Sequence, residues 1–240
     1  MRGMNAHPPL PRCCTALDDR WPLPRALAGV HLLSTRFDPA LLDPEDFPRW
    51  GIPTPRGVSK RQAEFLAGRL CARQALLRLT GAPAVPTVAA DRSPCWPAGV
   101  VGSITHGAGW AGVVVAHQQA WRGLGLDIEQ QLEPERADRL ASEILTADEL
   151  QGYAALPAVQ RAQRVTLTFS LKESLFKALY PLVKRRFYFQ DAELVACDAS
   201  GFVRLRLLTE LSTQWRRGTE LEGQFNAFDD YLLTLVSIPA

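Results

Sequence analysis

The chain has 240 residues, 47% of them hydrophobic and 22% charged, with 18 prolines and 17 glycines. At about 150 residues per domain this is one or two domains with a sizeable core, which excludes a disordered polymer, a collagen-like repeat and a disulfide-dense mini-protein. The net charge of +2 is too near neutral for bulk nucleic-acid binding.

The charge is unevenly placed. Residues 1–123 carry 14 Lys/Arg against 8 Asp/Glu, and residues 124–240 carry 13 against 17. Any two halves of a chain can differ by a few charges, but a basic half joined to an acidic half suits a polyanion on one side and a cation on the other. No apolar run approaches the roughly 18 to 20 residues of a membrane span, and the N-terminus lacks a signal peptide's apolar stretch. Cys13, Cys14, Cys71, Cys95 and Cys197 are odd in number and fit neither a metal ladder nor a disulfide framework. The expectation is a soluble, reduced, cytoplasmic protein.

In chain order, residues 1–27 are Pro-rich and Arg-dotted and read as an irregular N-terminal arm. Residues 30–37 (VHLLSTRF) read as a strand, and the proline-rich stretch 38–58 as loop with short turns. Ser59 is a good N-cap for a long helix closed by Gly81, with Phe65, Leu66, Leu70, Ala72, Leu76, Leu77 and Leu79 at helical spacing. Two strands follow, GVVGSITH and WAGVVVAH, then a third, RGLGLDIEQ. Helical segments are expected at 133–145, 146–155 and 158–182, and strands at 186–194, 202–208, 222–228 and 231–238. Strand, long helix, then strands thus occurs twice without a sequence repeat, which suggests two α+β lobes of similar build with a site in the cleft between them.

Four groups of residues carry chemistry. In LGLDIEQ, strand alternation sends Leu124, Leu126 and Ile128 to the core and Asp127 and Glu129 together to the other face. Two adjacent carboxylates repel unless a cation neutralises them, and hard oxygen ligands suit Mg²⁺; a solvated polar face is the plainer explanation. In FSLKESLFKALYP, a helix puts Phe169, Glu173, Phe176 and Tyr180 on one side with Lys177 one turn beyond Glu173. An exposed Glu–Lys pair is ordinary, but the surrounding bulky residues imply burial, and buried charges need partners. Lys60, Arg61, Arg69 and Arg73 lie on the first long helix, and Arg92 in the turn DRSPCWP. Each alone fits a solubilising face; grouped, they suit an anion. In GVVGSITHG, Ser103 and Thr105 share a strand face and His106 ends the strand, a set that could hold a phosphate. No G-x-G-x-x-G, G-x-x-x-x-G-K-[ST], H-E-x-x-H or G-x-S-x-G occurs, which removes most support for dinucleotide oxidoreductases, P-loop ATPases, zincins and serine hydrolases.

Taken in order, KRQAEFLAGRLCAR, DRSPCWP, GSITH, GLGLDIE and FSLKESLFKALYP resemble the 4′-phosphopantetheinyl transferase superfamily, in particular its two-lobed enterobactin synthase component D type. The resemblance covers roughly residues 28–237. It implies an α+β fold, a pseudo-two-fold pair of lobes at 28–121 (coenzyme A phosphates) and 122–240 (Mg²⁺-binding carboxylates and catalytic helix). It implies that Asp127, Glu129 and Glu173 bind Mg²⁺, with Glu173 the candidate general base. Lys172 and Lys177 match lysines at the coenzyme A phosphates and the reaction centre. His106 matches a histidine contacting coenzyme A phosphate, next to the hydroxyl of Thr105, where many members have Ser. Lys60, Arg61, Arg69 and Arg92 fall where members place basic residues around the 3′-phosphate or pyrophosphate. Phe169 stands where another branch has Trp.

The implied activity is Mg²⁺-dependent transfer of 4′-phosphopantetheine from coenzyme A to a serine of an apo acyl carrier protein or peptidyl carrier domain, releasing 3′,5′-ADP. Such carriers serve fatty-acid, siderophore, polyketide or nonribosomal peptide synthesis. The implied enzyme is cytoplasmic and monomeric, with no nucleic-acid partner. Two alternatives are a Mg²⁺-dependent phosphodiesterase or nucleotide hydrolase using the same carboxylates, and a non-catalytic coenzyme A-binding regulatory module.

Overall fold

A computed structural model describes residues 8–240; residues 1–7 of the expected N-terminal arm lie outside the described residues. The rest of the arm is less irregular than its composition suggests. Backbone bridges pair Cys14 with Phe37 and Asp18 with Ser34, so residues 14–18 run beside the first strand. That strand, β1 (His31–Arg36), pairs antiparallel with β5 (Trp110–His117), which pairs with β4 (Val100–Gly107). The order in this three-stranded sheet is β1-β5-β4.

Between β1 and the long helix, the proline-rich stretch holds one short helix, α1 (Asp46–Trp50). Pro48 is tolerated because the first-turn N–H groups of a helix have no intrahelical acceptor, and Gly51, at φ +64°, ends it. Phe47 and Trp50 are buried there against Leu66 and Leu70 of α2 (Ser59–Thr80). Ser59 is the first helical residue rather than the cap, and Gly81 closes α2 in the left-handed conformation at φ +75°. A small hairpin, β2 (Thr87–Val88) with β3 (Pro94–Cys95), frames the DRSPCWP turn.

The second half opens with β6 (Trp121–Gln130) and α3 (Pro134–Ile144), then α4 (Ala158–Val183), β7 (Ala192–Cys197), β8 (Phe202–Leu207), β9 (Glu220–Phe228) and β10 (Tyr231–Pro239). The five strands form one antiparallel sheet in the order β6-β10-β9-β8-β7. Leu171, Leu175 and Leu179 of α4 pack on Leu205, Leu207 and Val236 of that sheet. The architecture is the expected α+β arrangement of two lobes. No helix among the described residues is long and apolar enough to cross a membrane.

Two elements differ from expectation. Residues 146–155 form turns and a 3₁₀ segment (Tyr153–Ala155), not a helix. Thr146 and Glu149 bond each other's backbone N–H (2.8 and 3.2 Å) and close a single turn, and Gly152, at φ +71°, prevents continuation. The strand expected over 186–194 begins only at Ala192, because Phe189–Asp191 is a 3₁₀ turn in which Asp191 accepts the Tyr188 N–H at 2.7 Å.

Strand β6 is where the two sheets meet, and its sequence explains how. Leu124, Leu126 and Ile128 face a core shared with Trp110 and Val114 of β5 and with Leu233 and Leu235 of β10. The opposite face presents Gly123, Gly125 and Asp127, and it lies under α4 rather than in water. A methyl group at Gly125 would overlap the Ser174 carbonyl oxygen, and one at Gly123 the Ala178 carbonyl oxygen. The glycines therefore let the helix backbone rest on the strand. At the free edge of β6, the N–H of Leu126 donates to Ser103 Oγ and that of Ile128 to Thr105 Oγ1, each at 3.0 Å. Side-chain hydroxyls of β4 thus satisfy the edge where a further strand would otherwise sit.

Both contacts are testable by equilibrium unfolding. Gly125→Ala should lower stability by about 3 kcal/mol, since α4 must lift to admit the methyl. Thr105→Val, which leaves the buried Ile128 N–H without an acceptor, should cost about 1–3 kcal/mol. Wild-type urea midpoints for either variant would contradict this seam.

Candidate active site

Helix α4 distributes its residues over three environments. Leu171, Leu175 and Leu179 enter the core, Ser170 and Ser174 face β6 and β10, and Glu173, Phe176, Lys177 and Tyr180 line an open cleft of about 730 Å³. The other wall is the β2–β3 turn with Trp96 and the near side of β4. Trp96 lies directly against Gly102, where a Cβ would press on its indole.

Asp127, buried at 4% exposure, is held from three sides, one of them by the cleft-lining Lys177. Lys177 Nζ donates to its Oδ1 at 2.6 Å, Ser170 Oγ to its Oδ2 at 2.8 Å, and Thr105 Oγ1 reaches Oδ1 at 3.4 Å. Lys177 Nζ also donates to the Leu126 carbonyl at 3.1 Å. Burial pushes Glu129 up to about 7, helped by the negative charges of Asp127 and Glu173 and opposed by Lys177. Glu173 is also raised, first by burial, with Lys177 opposing and Asp127 reinforcing. Three carboxylates and one ammonium therefore share one electrostatic neighbourhood.

A second set comes from the first lobe. Arg61 Nη1 lies 3.4 Å from His106 Nε2, and Glu64 stands 3.7 Å from His106 and 3.8 Å from Arg61. Burial lowers the His106 pKa, Glu64 opposes, and Arg61 and Lys177 lower it further, so this cluster and Lys177 feel each other across the lobes. Arg69 is buried, lies over the Phe65 ring at 4.6 Å, and its Nε has no hydrogen-bond partner. Burial, with Arg61 nearby, lowers its pKa to about 10. A buried guanidinium with an unsatisfied N–H is a ready anion ligand.

Both halves of the chain match one family of known proteins. Residues 54–116 match the 4′-phosphopantetheinyl transferase N-terminal domain and residues 123–236 match the 4′-phosphopantetheinyl transferase superfamily. Enterobactin synthase component D of Salmonella typhi is 34% identical over 224 residues, which span 92% of this chain and 91% of that one. The 4′-phosphopantetheinyl transferase PptT of Mycobacterium tuberculosis is 35% identical over 192 residues, 75% of this chain and 81% of the relative. The chain belongs to the 4′-phosphopantetheinyl transferase superfamily. Among solved structures, a holo-(acyl-carrier-protein) synthase from Bacillus anthracis in complex with CoA (3′,5′-ADP) overlaps 50% of this chain and 98% of that one, at 17% identity and a TM-score of 0.37. By its family matches and curated relatives the protein is a 4′-phosphopantetheinyl transferase, an enzyme of group transfer.

In this transferase, Asp127, Glu129, Glu173, Lys177, Arg61, Arg69 and His106 come together around the junction of the lobes. Arg92 lies on the cleft rim, in a turn where it adopts φ +70°. Lys60 is exposed in the first turn of α2, beside Arg61.

Two expected ligand residues are elsewhere. Lys172 does not face the cleft: it is buried, donating to Glu149 Oε2 at 2.7 Å and to the Ile144 carbonyl at 2.8 Å. Five residues along a helix is a rotation of about 140°, so Lys172 and Lys177 cannot share a face. Thr105 is 3% exposed, and its hydroxyl is used by the Ile128 N–H and Asp127, so it is a seam residue rather than a phosphate ligand. Ser103 is spent in the same way on Leu126. Phe169 also leaves the cleft side and packs on Phe189 with ring centroids 5.4 Å apart.

Residues missed by the sequence reading are Arg122, Lys184 and Arg186, which line the cleft, and Asp91, which reaches Lys184 at 3.9 Å. The run KRR just after α4 was the available signal.

The donors suit a hard divalent cation, being three carboxylates of which Glu129 and Glu173 are raised first by burial and further by a neighbouring carboxylate. As the side chains stand, no three of the described Asp, Glu, His or Cys residues converge tightly enough to hold an ion. Lys177 lies against Asp127 as the compensating cation.

The elevated Glu129 gives a pH prediction with a definite sign. A carboxyl whose folded pKa lies above its unfolded value is easier to ionise when unfolded, so it lowers stability as pH rises from about 4.5 to 7. In chelator, Glu129→Gln should melt above the wild type at pH 8 and no higher than it at pH 4. Equal melting temperatures at pH 8 would contradict the burial of this carboxylate.

Proposed function

We propose that the cleft binds coenzyme A as the donor, and that residues 28–121 and 122–240 act as two lobes of one site. The first supplies cations for the phosphates, and the second the acidic and proton-transferring groups. The acceptor is the serine hydroxyl of an apo acyl carrier protein or peptidyl carrier domain, and 3′,5′-ADP leaves. The observation that carries this reading is the meeting, at one junction, of Asp127, Glu129, Glu173 and Lys177 with Arg61, Arg69 and His106. Polyanion and nucleophile can only be handled together where both sets meet.

Arg69 and Arg61 offer charge-assisted hydrogen bonds to phosphate oxygens, and His106 adds a donor held by Arg61 and Glu64. Lys177 has three N–H hydrogens and uses two on Asp127 and Leu126, which leaves the third for a phosphoryl oxygen. Glu173, with its proton affinity raised by burial, accepts the proton of the attacking hydroxyl. Held by Asp127, Glu129 and Glu173, Mg²⁺ would supply neutralisation of the pyrophosphate charge. Phe176 and Tyr180, stacked with centroids 5.0 Å apart, give the cleft an apolar stretch suited to the pantetheine arm. We place the enzyme in the cytoplasm as a monomer.

Intact-mass spectrometry of an apo carrier protein incubated with this chain, coenzyme A and Mg²⁺ tests the reading. The carrier should gain one phosphopantetheine unit, and Glu173→Gln or Asp127→Ala should slow the gain by a factor of about 100 or more. Arg61→Ala should raise KM for coenzyme A more than it lowers kcat, since its contact with phosphate exists before reaction. Coenzyme A consumption without carrier modification would favour the hydrolase reading, and tight binding without any product the regulatory module.

A further inference from the structure

Asp127 has a neighbour set that the transfer reaction does not by itself explain. Thr234 of β10 stands directly across from it in the β6–β10 register, and Ser170 and Ser174 of α4, one turn apart, cover both. The three hydroxyls are fully buried, each at 0% exposure. Ser170 Oγ is 2.8 Å from Asp127 Oδ2 and 2.9 Å from Thr234 Oγ1, which is 2.7 Å from Ser174 Oγ.

The proton directions in this chain follow from counting. Asp127, paired with Lys177, is a carboxylate and can only accept, so Ser170 spends its single proton on it. In the Ser170–Thr234 pair Thr234 must then donate, to the Ser170 hydroxyl or to the Ser170 carbonyl 2.9 Å away. Thr234 has no second proton, so in the last pair Ser174 donates, to the Thr234 hydroxyl or to the Thr234 carbonyl at 3.1 Å. When each hydroxyl donates to the next rather than to a carbonyl, the protons all point along the chain toward Asp127, an arrangement in which each bond polarises the next.

We propose that Ser170 is the positioning residue for Asp127, fixing Oδ2 so that the Oδ1 edge, now on Lys177, is the one offered to a divalent cation. The proposal rests on the metal-dependent transfer read above. It separates Ser170 from its equally buried neighbours: Ser174 knits α4 to β10, Thr234 reaches Asp127 only through the Ser170 hydroxyl, and Ser170 alone of the three touches the carboxylate. Partners of this kind, one step out from a metal ligand, typically change metal affinity about 10- to 100-fold when removed.

The test is a Mn²⁺ titration of the full chain, read by loss of the free-ion EPR signal, alongside a calorimetric titration of coenzyme A without metal. Ser170→Ala should bind Mn²⁺ about tenfold or more weakly, with coenzyme A affinity unchanged. Ser174→Ala, which loses a hydroxyl just as buried, should stay within about twofold of wild type. Should Ser170→Ala not fold, Thr234→Val reports on the same chain, and its Mn²⁺ affinity should fall between those of Ser174→Ala and wild-type on one side and Asp127→Ala on the other. Wild-type affinity in Ser170→Ala, an equal loss in Ser174→Ala, or no loss in Thr234→Val overturns the proposal while wild type still binds Mn²⁺ and Asp127→Ala does not. Failure of the wild type itself to bind Mn²⁺ overturns the metal reading and the proposal together.

Discussion

The contact on which the rest of this molecule depends is that of α4 with β6, helix backbone on strand backbone. Helix and sheet normally keep apart by the thickness of two side-chain layers, and here Gly123 and Gly125 remove one layer. The consequence is chemical as well as structural. With the helix this close, short side chains suffice to bridge the two elements: a serine reaches Asp127, and a lysine can neutralise it without extending to solvent. A larger separation would leave the carboxylate buried without partners, which is costly.

From that contact the electrostatics follow. Asp127 takes the strong bonds, while Glu129 and Glu173 remain short of compensation, and burial and mutual repulsion raise both. The first lobe mirrors this on the opposite sign, with Arg69 buried and short of an acceptor. Both lobes thus hold charge they do not fully satisfy. A ligand that is anionic along its length, brought together with a cation, relieves both.

Much of this was legible in the sequence, because the local patterns are unambiguous. Both long helices, the order of strands and the identity of the acidic and basic groups follow from hydrophobic spacing and from five ordered motifs. What could not be read was rotation about those elements. The motif K-E-S places Lys172 and Glu173 side by side in sequence, yet one enters a buried pair with Glu149 and the other faces the cleft, and nothing local distinguishes them. Asp127 and Glu129 alternate with leucines as a solvated face would, and only the glycines at 123 and 125 hint that a helix lies on that side. Ser103 and Thr105 look like ligand hydroxyls for the same reason: the backbone groups that claim them belong to a strand more than 20 residues away. Over 146–155 the Thr146–Glu149 bonds, of a kind that can open a helix, close an isolated turn instead.

The hydroxyl-capped edge of β6 has a consequence for how the two halves can be separated. A sheet that ends in a strand with unpaired N–H groups invites another chain to add to it. In the whole protein that edge is closed by two side chains of the other half. A second half produced alone, from β6 onward, would present the Leu126 and Ile128 N–H groups together with the apolar face of Leu124, Leu126 and Ile128. The same strand that carries the acidic pair would then be a sticky edge, so covalent linkage of the two lobes guards solubility as well as assembling the site.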